Sequence, residues 1–162
     1  MENAYSQTFE MENGMLCYDS GKSILLCRAL KSGRNLWIKK IPGICLIDSV
    51  TEDATRYYLA CETDDVHGLF LALAKATGAT EWFIPGKAYF QILFDGYLYI
   101  IFTDGNSEFY LIKADRSDGK KIWYHRVRDD LCEYGFRSDR ILLKYGSGRS
   151  ETLSPLTGIA IH

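Results

Sequence analysis

One motif occurs four times in this chain and limits what it can fold into. Lys31-Ser32-Gly33-Arg34-Asn35-Leu36-Trp37 returns as Ala76-Thr77-Gly78-Ala79-Thr80-Glu81-Trp82 and again as Ser117-Asp118-Gly119-Lys120-Lys121-Ile122-Trp123. A degraded fourth copy is Leu156-Thr157-Gly158-Ile159-Ala160-Ile161-His162. The four glycines are 45, 41 and 39 residues apart. A fixed period of about 40 to 45 residues with strand-like segments is the mark of propeller blades.

Each copy follows the same strand grammar. In the third, Ala88 to Phe94 is apolar and aromatic and Asp95-Gly96 ends it. Tyr97 to Thr103 and Glu108 to Ala114 flank the turn Asp104-Gly105-Asn106-Ser107, and Lys120 to Val127 follows Asp118-Gly119. Asp-Gly between two strand-like runs is a strong hairpin signal. The second copy predicts strands at 44–50, 56–62, 68–75 and 79–84, and the first at 5–10, 14–18, 23–30 and 34–40. The fourth predicts 132–137, 140–144, 150–154 and a shortened 158–162. Leu69 to Ala76 could pass for a helix by its Ala and Leu content, but alignment with the other copies makes it a strand. The expectation is one all-β domain over 1–162, with repeats at about 1–42, 43–86, 87–128 and 129–162.

The segments 23–37, 68–82 and 109–123 resemble the repeat of quinoprotein-like β-propellers, which turns through Thr-Gly or Asp-Gly and places a Trp four residues after the Gly. The resemblance implies that Trp37, Trp82 and Trp123 pack between blades and that Gly33, Gly78 and Gly119 permit the tight turn. The residue chemistry agrees, since indole is a large apolar surface with one donor and glycine takes left-handed backbone freely. The chain departs from the family in carrying four repeats rather than seven or eight, and in having His162 at the fourth Trp position. Three architectures stay open: a closed four-bladed ring, half of an eight-bladed ring completed by a homodimer, or a piece of a longer propeller. The family's enzymes use calcium-bound pyrroloquinoline quinone. The residues that hold it cannot be placed here, so no cofactor is expected.

Net charge is −2, with no basic or acidic block. This argues against a nucleic-acid partner, which needs a clustered cationic face. Arg126-Val127-Arg128 is broken at once by Asp129-Asp130 and reads as a solvated strand end with local pairing. No run reaches membrane-span length, and the N-terminus lacks a signal-peptide pattern. A cytoplasmic protein without membrane contact is expected. The five cysteines, at 17, 27, 45, 61 and 132, form no Cys-x-x-Cys pair and read as buried thiols in a reducing compartment.

No nucleophile elbow, phosphate loop or metal-ligand spacing occurs, and His67, His125 and His162 share no metal-binding pattern. The expected function is therefore non-enzymatic: a rigid platform that binds another protein through its loop face. The candidate surface is Asp48, Glu52 and Asp53, the turn with Asp64, Asp65 and His67, Asn106, and Arg149. Asp129, Asp130 and Glu133 are placed at a channel mouth. The alternative is a small-ligand or metal site in a central channel, gathering Asp48, Gln91, Glu133 and Arg137. A hydrolase or lyase on the same face is the less favoured third reading.

Overall fold

A computed structural model describes residues 7–12 and 14–162, apart from the side chains of 7 and 46–49. The described residues contain no helix, so none is long and apolar enough to cross a membrane. The first strand expected from residue 5 starts partly outside the described residues. The chain forms two compact units, 1–88 and 89–162.

The first unit holds two blades. Blade 1 is β1 (Gln7–Glu10), β2 (Gly14–Asp19), β3 (Ile24–Ala29) and β4 (Asn35–Lys40). Blade 2 is β5 (Ile44–Glu52), β6 (Arg56–Glu62), β7 (Gly68–Ala74) and β8 (Thr80–Pro85). Each is an antiparallel meander with neighbours in chain order. The Ala- and Leu-rich run is strand β7 because it pairs along its whole length with β6 and β8. Tertiary pairing overrides its local helix propensity.

The second unit repeats the plan. Blade 3 is β9 (Lys87–Phe94), β10 (Tyr97–Thr103), β11 (Phe109–Asp115) and β12 (Lys121–Val127). Blade 4 is β13 (Leu131–Phe136), β14 (Ile141–Tyr145) and β15 (Ser150–Leu153). Its expected fourth strand is reduced to an isolated bridge between Leu153 and Ala160, supported by Ile161 N–H donating to the Thr152 carbonyl at 2.7 Å. In β10, Leu98 to Thr103 is buried on both faces, as its continuous apolar run predicts.

The same turn is built four times. The amide of each glycine donates to the carbonyl four residues earlier: Gly33 to Ala29, Gly78 to Ala74, Gly119 to Asp115 and Gly158 to Ser154, at 2.8 to 2.9 Å. Each of the four glycines has φ between 67° and 74°. A bulge follows in three outer strands. Register passes from Trp37 to Asn35, from Trp82 to Thr80 and from Trp123 to Lys121, skipping Leu36, Glu81 and Ile122. A bulge re-aims the side chains beside it, and here it always precedes the indole.

Two of the indoles lie on the glycine of the following repeat. Trp37 donates its Nε1 proton to the Lys75 carbonyl at 2.8 Å, and a Cβ added to Gly78 would stand 2.5 Å from the Trp37 ring. Trp123 donates to the Pro155 carbonyl at 2.8 Å, and a Cβ on Gly158 would come within 2.4 Å of its ring. The glycine therefore serves the turn and also makes room for the indole. Trp82 is buried and packs against Tyr58 and Phe70 within its own blade. Around Trp37, a core of Leu16, Leu25, Tyr57, Leu59 and Leu71 joins blades 1 and 2. Around Trp123, Tyr99, Leu111, Ile141, Leu143 and Leu153 join blades 3 and 4.

A polar contact also joins blades 3 and 4. Glu151 accepts a bond from the Tyr145 hydroxyl at 2.6 Å and lies 3.3 Å from His125 Nε2. Burial acts to raise the Glu151 carboxyl, but the bonds from Tyr145 and His125 outweigh it and hold the group below its ordinary value of 4.5.

Two predictions follow from these contacts. Replacing Gly158 or Gly78 with Ala combines left-handed strain of about 1 to 2 kcal/mol with an overpacking cost of about 1 to 3 kcal/mol. Gly33→Ala meets nothing within 4 Å and incurs only the first. Urea midpoints should rank wild type above Gly33→Ala, with Gly78→Ala and Gly158→Ala lowest; equal losses at all three would contradict the docking role. The lowered Glu151 carboxyl contributes stability that is complete above its unfolded value and lost as pH falls through the folded one. Thermal midpoints taken from about pH 6 down to about pH 3.5 should therefore fall more steeply for wild type than for Glu151→Gln.

Candidate functional site

In the second unit, two adjoining hollows of about 430 and 210 Å³ open at one end of blades 3 and 4. They share Phe109, Val127, Arg128 and Asp129. Antiparallel pairing brings these residues together: Phe109 opens β11 directly opposite Val127 at the end of β12. The short β12–β13 connection then carries Arg128 and Asp129 over this end. That connection is fixed from both sides. Gly146 N–H donates to the Asp130 carbonyl at 2.7 Å, Ser147 N–H to Asp130 Oδ2 at 3.0 Å, and Arg128 Nε lies 3.3 Å from Asp130 Oδ1.

The floor of the cleft is aromatic. Tyr89 and Phe109 have ring centroids 5.4 Å apart, and Phe90 and Tyr134 are 4.3 Å apart. Phe90 continues onto Phe136, stacked at 6.1 Å. The rim is charged and nearly balanced. Arg126 pairs with Glu108 at 3.1 Å, and Glu108 also accepts the Tyr110 hydroxyl. Arg128 and Asp129 are exposed at the junction of the two hollows. The cleft can thus take an apolar or aromatic group on its floor while the rim pairs with charge of either sign. No histidine or cysteine lines it, and its one hydroxyl nucleophile type, Ser107, has no histidine beside it in the lining.

Asp129 lies in the cleft and Asp130 holds its connection in place. The other candidates are dispersed. Asp53 caps its own turn, accepting from Thr55 N–H at 2.9 Å, Arg56 N–H at 2.8 Å and the Tyr58 hydroxyl at 2.6 Å. Glu52 pairs with Lys75 at 3.1 Å. Asp64 accepts from the backbone amides of Val66 and His67 at 2.8 Å and pairs with the His67 ring, also at 2.8 Å. The Val66 amide and the His67 ring hold its carboxyl below the ordinary range. The Asp65 carbonyl accepts from Lys87 at 3.0 Å.

Because β6 runs between them, the turn with Asp53 and the turn with Asp64 lie at opposite ends of blade 2. They do not form one surface. The Asp48 side chain lies outside the described residues. Asn106 closes a local turn onto Asp104 at 3.1 Å, and Arg149 is exposed with its carbonyl bonded to Tyr145 N–H at 2.9 Å. Both occupy turns at the cleft end of their blades. Gln91 is half-buried in β9. Glu133 pairs with Lys144 at 3.3 Å on the sheet face away from Tyr134, and Arg137 is at the opposite end of β13. The paired ends expected for Arg126 and Arg128 are present.

Among the cysteines, 17, 27, 45 and 61 are buried thiols, but Cys132 is exposed on β13, contrary to expectation. As the first strand of its sheet, β13 has β14 on one side only. Among the described residues, no group of three or more His, Cys, Asp and Glu side chains is placed to hold a metal. The sequence reading missed Tyr89, Phe90, Phe109 and Tyr134, whose pattern is that of core strands. The Arg126–Asp129 charge alternation was the one signal pointing here.

No protein-family model and no curated protein matches the chain. Solved structures do. BamB from Moraxella catarrhalis matches with TM-score 0.64 and 16% identity, over 96% of this chain and 46% of that one. Quinohemoprotein alcohol dehydrogenase from Comamonas testosteroni matches with TM-score 0.63 and 14% identity, over 99% of this chain and 34% of that one. The computationally designed Ika4 protein matches with TM-score 0.65 and 9% identity, over 95% of this chain and 92% of that one. The chain thus spans about half the length of BamB and a third of the dehydrogenase. At such identities the likeness speaks to fold, and it agrees with the repeats, the turns and the four sheets: this chain has the fold of a β-propeller with quinoprotein-like blades.

Proposed function

We propose that this protein is a non-enzymatic binding platform that engages another protein at the cleft of its second unit, in a reducing, cytoplasmic setting. The observation that carries this reading is the makeup of the cleft. An aromatic floor of Tyr89, Phe90, Phe109 and Tyr134 sits beneath exposed Arg128 and Asp129. Aromatic residues and arginine dominate the energetic centres of protein interfaces. A partner would place an apolar or aromatic side chain on the floor and pair charges with the rim. The fixed β12–β13 connection keeps the ordering cost of binding low. For the compartment, the reading rests on the sequence, whose five cysteines form no Cys-x-x-Cys pair.

The test uses immobilised chain and lysate of the source cells. Wild type should retain a polypeptide that both Arg128→Glu and Asp129→Arg lose, with thermal midpoints within experimental error of wild type. Retention unchanged in both variants would overturn the cleft as the binding site. Turnover by the wild-type chain in a broad hydrolase and dehydrogenase screen, abolished by the same variants, would overturn the non-enzymatic reading.

A further inference from the structure

The charges around the cleft of the second unit are not equally available. Arg126 is paired with Glu108 at 3.1 Å, and Glu108 also accepts the Tyr110 hydroxyl. Arg128 is paired with one oxygen of Asp130 at 3.3 Å, while the other oxygen accepts from Ser147 N–H at 3.0 Å. Asp129 is exposed and lines both hollows, and its carboxylate has no hydrogen bond or ion pair among the described residues. Taken with their partners, the lining charges are three carboxylates against two arginines. The uncommitted charge of the cleft is therefore a single negative one.

That charge stands beside aromatic rings. Phe109 borders both hollows together with Asp129, and Tyr89 and Tyr134 on the floor are 51% and 42% exposed. The face of an aromatic ring is negative, so it attracts a cation as the carboxylate does. An anionic group entering the cleft would have to displace Glu108 or Asp130 from its arginine. A neutral apolar group would cover the floor and leave Asp129 partly stripped of water without a partner, which costs free energy. A cation meets neither cost. Of the two long basic side chains, arginine fits the cleft better. Its planar guanidinium stacks on aromatic faces, its N–H fork matches a carboxylate, and its stem can lie on apolar surface.

We infer that the group this cleft takes from its partner is an arginine side chain, with the stem on the aromatic floor and the guanidinium paired with Asp129. The inference rests on the cleft being the binding site and adds what that site selects.

NMR titration of the full chain tests it. The probes are the Nα-acetyl methylamides of arginine, lysine, leucine and glutamate, which present each side chain without terminal charges. The arginine compound should shift resonances of Phe109, Asp129 and Tyr134 saturably. It should bind at least threefold more tightly than the lysine compound and at least tenfold more tightly than the other two. Asp129→Asn should weaken it at least fivefold and flatten its salt dependence, with the rest of the spectrum matching wild type. Three results would each overturn the inference: another compound binding the cleft as tightly as arginine, an arginine affinity unmoved by Asp129→Asn, or no shift of these resonances up to the solubility limit of the arginine compound. The cleft as a site is judged separately, by whether the Arg128→Glu and Asp129→Arg chains lose the polypeptide retained from lysate.

Discussion

The contact on which the described structure depends is an indole lying flat on a bare glycine. It imposes two requirements on one residue. The turn requires a left-handed φ, which other residues adopt only with strain. The indole needs the space where a Cβ would be, as Gly78 and Gly158 show. Either requirement alone could be met by another residue at modest cost, but together they leave only glycine. Burying an indole removes about 150 to 250 Å² from water, worth at most about 4 to 6 kcal/mol. The bond from its N–H to Lys75 or Pro155 fixes its orientation. The bulge at Leu36 or Ile122 then follows as the means of aiming that ring from a twisted outer strand.

Polar groups in this fold are used mainly to hold the strand ends. Asp53, Asp64, Asp104, Asp115 and Asp118 each accept amide protons from the next few residues. These bonds make the turns stiff and leave their carboxylates partly committed. A ligand that sought such a carboxylate would compete with bonds that close the turn. The cleft in the second unit differs in part: its exposed Asp129 is carried by a connection fixed through other atoms, whereas Arg128 itself pairs with Asp130 in that connection. Asp130 bonds the neighbouring turn and pairs with Arg128, and Asp129 is left displayed beside the aromatic lining.

The architecture was legible because its determinants are local and repeated. A glycine with a tryptophan four residues on, at a period near 40, specifies turn, bulge and docking together, so one alignment carried β7 past its misleading helix propensity. Strand ends moved by one or two residues, and only the last strand shrank to a bridge. The candidate site was less legible for a physical reason. Phe90, Phe109 and Tyr134 have the same side-chain chemistry as core residues such as Phe70 and Tyr99. Their role depends on whether the next blade covers them, which is a property of the end of a sheet rather than of its sequence. The acidic residues erred in the opposite direction. Asp53 and Asp64 look like ligands by composition, but strand order places them at opposite ends of one blade.

A repeat fold also separates local from neighbour effects. Gly33 and Gly78 share turn geometry, hydrogen bonding and φ to within a few degrees, so sequence nearby cannot explain why one is buried and the other exposed. The difference is in what lies against them. For Gly78 that is Trp37, delivered by the preceding blade. The glycine at 33 satisfies both requirements of the docking contact while only the turn uses it.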